Sequence, residues 1–100
     1  ADARPKAASP NIHVLVVNLK FKSAEQKQVF KDTWAPLAEI VYKTEPDCLS
    51  YEFCDACDDD TSAIIYERYT NRAALDGKHQ ETLKAYNMDS KFPEGFVKDF

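Results

Sequence analysis

Glycine is scarce in this sequence, with Gly77 and Gly95 as the only two. A phosphate-cradling P-loop and a dinucleotide-binding GxGxxG turn both need closely spaced glycines, so neither can be built here. Long apolar runs are also missing, and none approaches the roughly 20 residues that span a bilayer. Lys and Arg number 13 against 17 Asp and Glu, which argues against nucleic acid as a main partner, since phosphate binding needs clustered positive charge.

Cysteine is too sparse for a zinc site. Cys54 and Cys57 form a CxxC pair, but zinc would need a second pair or His ligands, and only Cys48 is left. We therefore expect no metal. The pair lies among aspartates, whose negative charge raises the pKa of a thiol and disfavours a thioredoxin-like role. Two readings remain, a reversible local disulfide or plain thiols.

The length and composition fit one small globular domain. At 100 residues the margin of stability is thin, and a partner subunit would add to it. Residues 1–11 are small and Pro-containing and begin without Met, which indicates a processed or trimmed end and a flexible arm. We expect the domain at 12–88 and a tail or short fourth strand at 89–100. The compartment is left open between the cytoplasm and, if a targeting peptide was removed, an organelle.

The first half of the chain predicts a strand followed by a long helix. Residues 12–21 are rich in Val, Ile and Leu and are typical of a buried strand. Ser23 and Gln26 have the spacing of a capping box, and apolar residues then recur every three or four positions. Pro36 lies inside that pattern, so we expect a kink near residues 31–32 or a break before a second short helical piece. Pro46 ends the helix.

The second half predicts a hairpin and a second helix. Residues 49–54 and 63–69 alternate and carry aromatic side chains, with an acidic loop between them. Thr70 or Asn71 can cap the helix that follows. The predicted order is β, α, β, β, α, and a fourth strand is left open. This order predicts an α+β fold, a ferredoxin-like split βαβ antiparallel sheet with two helices on one face. The other face needs cover by a ligand, a partner sheet or both.

Two segments resemble a known family. The stretch EPDCLSYEF (residues 45–53) resembles the EPGCLxYE segment of antibiotic biosynthesis monooxygenase domains, and IIYERYTNRAALDGKH (residues 64–79) resembles their YExWxxxxALxxH segment. The resemblance covers about residues 12–86. It implies a homodimer whose two sheets close into a dimeric α+β barrel, with a cavity between each sheet and its own helices.

The resemblance also implies candidate functions. Members include cofactor-independent oxygenases of quinols and polyketide aromatics, and haem-degrading relatives. Our leading hypothesis is a monooxygenase that needs no cofactor and acts on a small aromatic or quinol-type molecule. The main alternative is a non-catalytic binding or accessory subunit of a larger assembly. A haem-binding relative is the weaker alternative, because Tyr69 stands where many members carry Trp and Thr82-Leu83 replaces a His-Phe pair.

Candidate catalytic residues are His79, Asn18 and Tyr69. Histidine is the residue type that titrates near neutral pH without perturbation, so His79 would act as the base, or it is a satisfied histidine in the apolar stripe of the second helix. Asn18 would orient a carbonyl or dioxygen, or it faces solvent.

Candidate substrate-binding residues lie on the two strands of the hairpin. They are Tyr51, Tyr66, Glu67 and Arg68, of which the tyrosines could equally be ordinary strand aromatics. Glu67 and Arg68 are adjacent and point to opposite faces, so at most one of them enters a cavity.

Overall fold

Four strands form one antiparallel sheet in the part of the chain described by the computed structural model, residues 12–91 and 97–99. The arm predicted for residues 1–11 lies outside that part. The sheet order is β2-β3-β1-β4, with β3 and β1 in the centre. The strands are β1 (His13–Lys20), β2 (Cys48–Asp55), β3 (Ser62–Tyr69) and β4 (Val97–Asp99).

The first helix, α1, runs from Ala24 to Thr44 and begins at the predicted cap. The Ser23 hydroxyl accepts a hydrogen bond from the Gln26 amide at 3.1 Å, and the Gln26 side chain accepts one from the Lys22 amide at 2.8 Å. The helix continues through Pro36, so the alternative of a break there is wrong. Packing accounts for the continuity, because side chains on both sides of the proline, including Leu37, are buried against the sheet.

A second helical segment follows β3 and has three joined pieces. It begins at Asn71, whose side chain accepts from the Ala74 amide at 2.9 Å, and it ends at Asn87, which adopts the left-handed conformation with φ 57°. The pieces are α2 (Arg72–Ala74), a π-helical turn (Leu75–His79) and α3 (Gln80–Tyr86). Sequence patterning predicted this helix but not its π-helical turn.

Strand alternation separates the sheet into an inner and an outer face. On β3, Ala63, Ile65, Glu67 and Tyr69 are buried under the helices, whereas the residues between them are half-buried on the other face. The same alternation runs along β1. The predicted α+β, ferredoxin-like arrangement with helices on one face is confirmed. Residues 97–99 pair with β1 as β4, in the region where sequence left a tail or a strand open.

Replacing Leu37 by Ala is expected to lower the free energy of unfolding by about 2–5 kcal/mol, because the side chain is fully buried and its loss leaves a cavity. Val29→Ala is the matched control on the same helix, since Val29 is 62% exposed, and it should change stability by no more than about 0.5 kcal/mol. Urea unfolding followed by far-UV circular dichroism measures both. Equal losses in the two variants would contradict this packing of α1.

Candidate functional site

A cavity of about 410 Å³ lies between the inner face of the sheet and the helices. This volume falls at the lower end of the range for small-molecule pockets, about 300–1,000 Å³. Its walls combine apolar side chains and aromatic rings with polar groups, of which Tyr51, Glu67 and His79 lie together and form the polar end of the cavity. The lining residues that matter for its chemistry are Trp34, Tyr51, Glu67 and His79.

His79 lies between two buried carboxyl groups. Its Nδ1 is 3.0 and 3.2 Å from the two oxygens of Glu45, and its Nε2 is 3.6 Å from Oε1 of Glu67. The three side chains are only 2–4% exposed. An ionised carboxylate can only accept, so Nδ1–H donates to Glu45 and Nε2 faces Glu67. This group is called the Glu45–His79–Glu67 network below.

Three elements bring the network together. Glu45 is the capping residue at the end of α1, His79 is the last residue of the π-helical turn, and Glu67 lies in the middle of β3. A π-turn inserts an extra residue into a helix, which changes where the following side chains point, and such turns are frequent at functional sites. Burial of the network therefore depends on the helices and the sheet together.

Tyr69 extends the network behind the cavity wall. Its hydroxyl donates a hydrogen bond to Oε1 of Glu67 at 2.6 Å, and its ring lies 5.5 Å from that of His79. The hydrogen bond holds one oxygen of Glu67 in place. The remaining oxygen, Oε2, has no hydrogen-bond partner among the described residues, and Glu67 lines the cavity.

Burial makes negative charge unfavourable in this region. Desolvation raises the pKa of Glu67 above its ordinary value of 4.5, and this outweighs the opposing effects of the Tyr69 hydroxyl and His79. Desolvation, followed by the charge of Glu67, also raises the pKa values of Tyr51 and Tyr69, so both phenols stay protonated. The site thus holds hydroxyl groups in their neutral form.

Tyr51 and Trp34 form the aromatic side of the polar end. The Tyr51 ring is 5.0 Å from the His79 ring in an edge-on arrangement and 5.0 Å from the Trp34 ring. The backbone of Tyr51 is fixed by α1, because the Tyr42 hydroxyl accepts from the Tyr51 amide at 2.8 Å and lies 3.2 Å from its carbonyl oxygen. The indole Nε1 of Trp34 is buried and has no hydrogen-bond partner among the described residues.

The predicted site residues fall into two groups, one at the cavity and one on the outer face of the sheet. His79, Tyr51 and Glu67 line the cavity, and Tyr69 supports them from behind. Three others lie on the outer face, because they alternate with buried neighbours along β1 and β3: Asn18, Tyr66 and Arg68. The predicted roles of those three residues stay predictions, but they do not join this cavity.

Glu45 and Trp34 were missed as site residues. Both positions nevertheless carried a signal. A glutamate between a helix and a strand is costly to bury without a partner, and a buried indole N–H needs an acceptor. Neither signal identifies the partner, which lies 34 residues away for Glu45.

Two aspartates of the acidic hairpin loop pair with lysines. Asp55 pairs with Lys27 and Lys31 at 3.0 and 2.9 Å, and Asp59 pairs with Lys20 at 2.8 Å. These lysines hold the pKa values of both aspartates below their ordinary value of 3.8. All three cysteines are free thiols. No group of three or more His, Cys, Asp or Glu in residues 12–91 and 97–99 could hold a metal ion.

The fold and the cavity together define the class of this protein. The chain forms a ferredoxin-like α+β domain with a small-molecule-sized cavity between the sheet and the helices. The sequence profile of the antibiotic biosynthesis monooxygenase family matches residues 12–83. This chain therefore belongs to the antibiotic biosynthesis monooxygenase family.

The search of curated proteins finds no match. No helix in the described part is long and apolar enough to cross a membrane.

Solved structures agree on the fold. A protein from Caulobacter crescentus, provisionally designated an antibiotic biosynthesis monooxygenase, is 22% identical over 89% of this chain and 86% of its own, with a TM-score of 0.65. One from Nitrosomonas europaea with the same designation is 19% identical over the same shares, with a TM-score of 0.68. A conserved protein from Methanosarcina mazei is 16% identical over 86% and 87%, with a TM-score of 0.64. At these identities the likeness shows the fold.

Replacing Glu67 by Gln should change how stability depends on pH. Because folding raises the pKa of Glu67, the folded chain binds more protons than the unfolded chain between pH 4.5 and the raised value. The free energy of unfolding of the wild type should therefore lose a contribution as pH rises through this interval, and E67Q should not show that loss. Urea unfolding of both proteins from about pH 4 to pH 8 measures the difference.

Glu39→Gln is the control, since Glu39 is an exposed glutamate on α1, and it should keep the wild-type pH dependence. The paired aspartates do not interfere, because a carboxyl group with a lowered pKa loses its stabilising contribution only below its ordinary value of 3.8. Parallel stability curves for wild type and E67Q would contradict the raised pKa of Glu67.

Proposed function

We propose that this protein is a cofactor-independent monooxygenase that acts on a small aromatic or quinol-type substrate. The observation that carries the proposal is the Glu45–His79–Glu67 network at the polar end of a cavity that also has apolar and aromatic walls. Such a cavity suits a flat aromatic ring, and the network suits the removal of a proton from it. Membership of the antibiotic biosynthesis monooxygenase family supports the same reaction class.

The chemistry needs no external electron donor. An electron-rich hydroxyaromatic supplies the electrons itself, one oxygen atom enters the ring as a carbonyl, and the other leaves as water. The protein has to orient the ring, exclude water and accept a proton as oxygen reacts with the resulting carbanion. Apolar walls account for the exclusion of water, and Tyr51 and Trp34 provide aromatic surfaces for the ring.

Glu67 and His79 have separate tasks in this proposal. Glu67 lines the cavity and takes the proton from the substrate hydroxyl, while Nε2 of His79, 3.6 Å from Oε1 of Glu67, receives or shares it. Glu45 stabilises the positive charge that His79 then carries, through Nδ1. The predicted base of the reaction thus acts with two carboxyl groups rather than alone.

The wild-type protein should take up oxygen when mixed with at least one member of a panel of hydroquinones and hydroxylated polycyclic aromatics. His79→Gln should lower the rate by about 10²–10⁴-fold, because the network then lacks the imidazole nitrogen that receives the proton. An oxygen electrode measures uptake, and product absorbance confirms the ring carbonyl. His13→Gln is the control, since His13 is exposed at the start of β1, and it should retain wild-type activity.

No uptake with any substrate would contradict the oxygenase proposal, and so would equal rates in the wild type and H79Q. Folding of H79Q is checked by circular dichroism. A rate loss that recovers with added imidazole would support a role of His79 in proton transfer rather than in packing alone.

A non-catalytic binding or accessory subunit is the second candidate. The observation that favours it is the position of Asn18, which lies on the outer face of the sheet and so contributes no amide to the cavity. In that case the cavity would retain an aromatic molecule without oxidising it. Binding of aromatic ligands without oxygen uptake would support this candidate.

Haem does not fit the residues of this site. Pairing of Nδ1 with Glu45 leaves Nε2 of His79 as the ring nitrogen that would bind iron, but this nitrogen is buried 3.6 Å from Oε1 of Glu67, whose carboxyl group crowds that position. Tyr69, the residue at the family's Trp position, is fully buried behind the cavity and bonded to Glu67. No step of the proposed reaction therefore involves haem.

We also propose that two copies pair through the outer face of the sheet. This face exposes Val14 by 54% and Val16 by 36%, with Ile64 and Tyr66 half-buried on the neighbouring strand. Adjacent apolar side chains on a sheet face are typical of an interface. A pairing of this kind would put Asn18 and Arg68 at the interface rather than in the cavity.

Val16→Glu should shift the protein from dimer to monomer, because it places a charge in the proposed interface. Val29→Glu is the matched control, since Val29 is exposed on α1, and it should leave the mass unchanged. Light scattering coupled to size exclusion gives the mass of each form. A well-folded wild-type monomer would contradict the paired sheet.

A further inference from the structure

The polar end of the cavity has donors and carboxyl groups but little positive charge. Tyr51 offers a hydroxyl, Trp34 has an indole N–H without a partner among the described residues, and Glu67 offers a carboxyl oxygen. Lys84 is the lining residue with a permanent positive charge, and it lies on the solvent-exposed side of α3. Among the lining residues of the described part, Lys84 is the one Arg or Lys.

The charge balance of the network is unfavourable to a second anion. Glu67 lies 3.6 Å from the imidazole of His79, which carries at most one positive charge and is already paired with Glu45 through Nδ1. An anionic ligand beside Glu67 would therefore add a like charge in a region removed from water, and this interaction is not screened as it would be at the surface. Lys84 cannot compensate, because it is solvated at the rim.

Two tyrosine hydroxyl groups of the protein lie near Glu67 and stay in their neutral form. Tyr69 donates to Oε1 of Glu67 at 2.6 Å, and Tyr51 lies opposite Glu67 in the pairing of β2 with β3. Both phenols have raised pKa values for the same two reasons, desolvation and the charge of Glu67. A phenolic ligand placed beside them would experience the same desolvation and the same carboxyl group.

We infer that the cavity selects neutral, hydroxyl-bearing aromatic molecules and rejects carboxylates and phenolates of the same shape, and that Glu67 is the residue that imposes this selection. The ligand hydroxyl donates to Oε2 of Glu67, the oxygen that Tyr69 leaves free. The inference rests on the proposed function for the aromatic nature of the ligand. It goes further in specifying the ionic state of the ligand and in assigning the rejection of anions to Glu67.

Three para-substituted ethylbenzenes test the selection in the wild-type protein. They are 4-ethylphenol, its methyl ether 4-ethylanisole, and 4-ethylbenzoate, which share a ring and a tail and differ only in the polar group. Calorimetry at neutral pH measures their affinities, and quenching of Trp34, the single tryptophan, reports binding at the cavity. We expect 4-ethylphenol to bind at least about tenfold more tightly than either competitor, as for a hydrogen bond to a charged group.

Glu67→Gln separates the carboxyl group from the shape of the cavity. Gln keeps the size and the accepting oxygen but loses the charge, so E67Q should bind 4-ethylbenzoate more tightly and narrow its difference from 4-ethylphenol to about threefold or less. Glu39→Gln removes the same charge from the surface of α1 and should keep the wild-type preference. Tyr69→Phe should retain the exclusion of benzoate, since the carboxyl group remains.

The outcomes distinguish this inference from the proposed function. Equal affinity for phenol and benzoate in the wild type would overturn the inference, as would equal affinity for phenol and anisole, binding of no probe at all, or an unchanged preference in E67Q. The wild-type series decides the matter even if E67Q does not fold. Selective phenol binding without oxygen uptake from any hydroquinone would overturn the oxygenase and leave the inference standing, whereas oxygen uptake without selectivity would do the reverse.

Discussion

The contact of His79 with two buried carboxyl groups is the constraint on which this structure depends most. Glu45 ends α1, Glu67 lies in β3, and His79 closes the π-helical turn, so one imidazole joins both helical segments to the sheet. Removing any one of the three leaves a buried polar group without its partner, which is far more costly than losing an exposed ion pair. The pair of Lys31 with Asp55, in which both side chains are exposed to solvent, carries much less of the fold.

Local sequence signals predicted most of the fold. The Ser23 cap, the alternation of β2 and β3 and the Asn71 cap act over a few residues, and the structure contains all of them. Pro36 was misleading, because its local cost is outweighed by burial of α1 against the sheet, which is a tertiary effect. The π-helical turn has no local signature either, since Leu75 to His79 fits a regular helix equally well.

The site was harder to predict than the fold, for reasons of geometry. His79, Tyr51 and Glu67 could be identified by residue type, but their neighbours are determined by contacts across 34 residues and between strands. The face on which Asn18 lies could not be read from β1, because its run of apolar residues hides the alternation that the sheet then imposes. Glu45 looked like the end of a helix, and nothing adjacent in sequence indicates its partner.

Stability alone does not account for the network. Replacing a buried ionic group with apolar side chains of similar volume is often neutral or stabilising by about 1–4 kcal/mol, so an apolar core here would fold at least as well. The carboxyl group of Glu67 is instead held by Tyr69 on one oxygen and open to the cavity on the other, although burial raises its pKa. A group that is unfavourable to bury, fixed by its neighbours and open to an apolar cavity is better explained by what it recognises there than by what it adds to the fold.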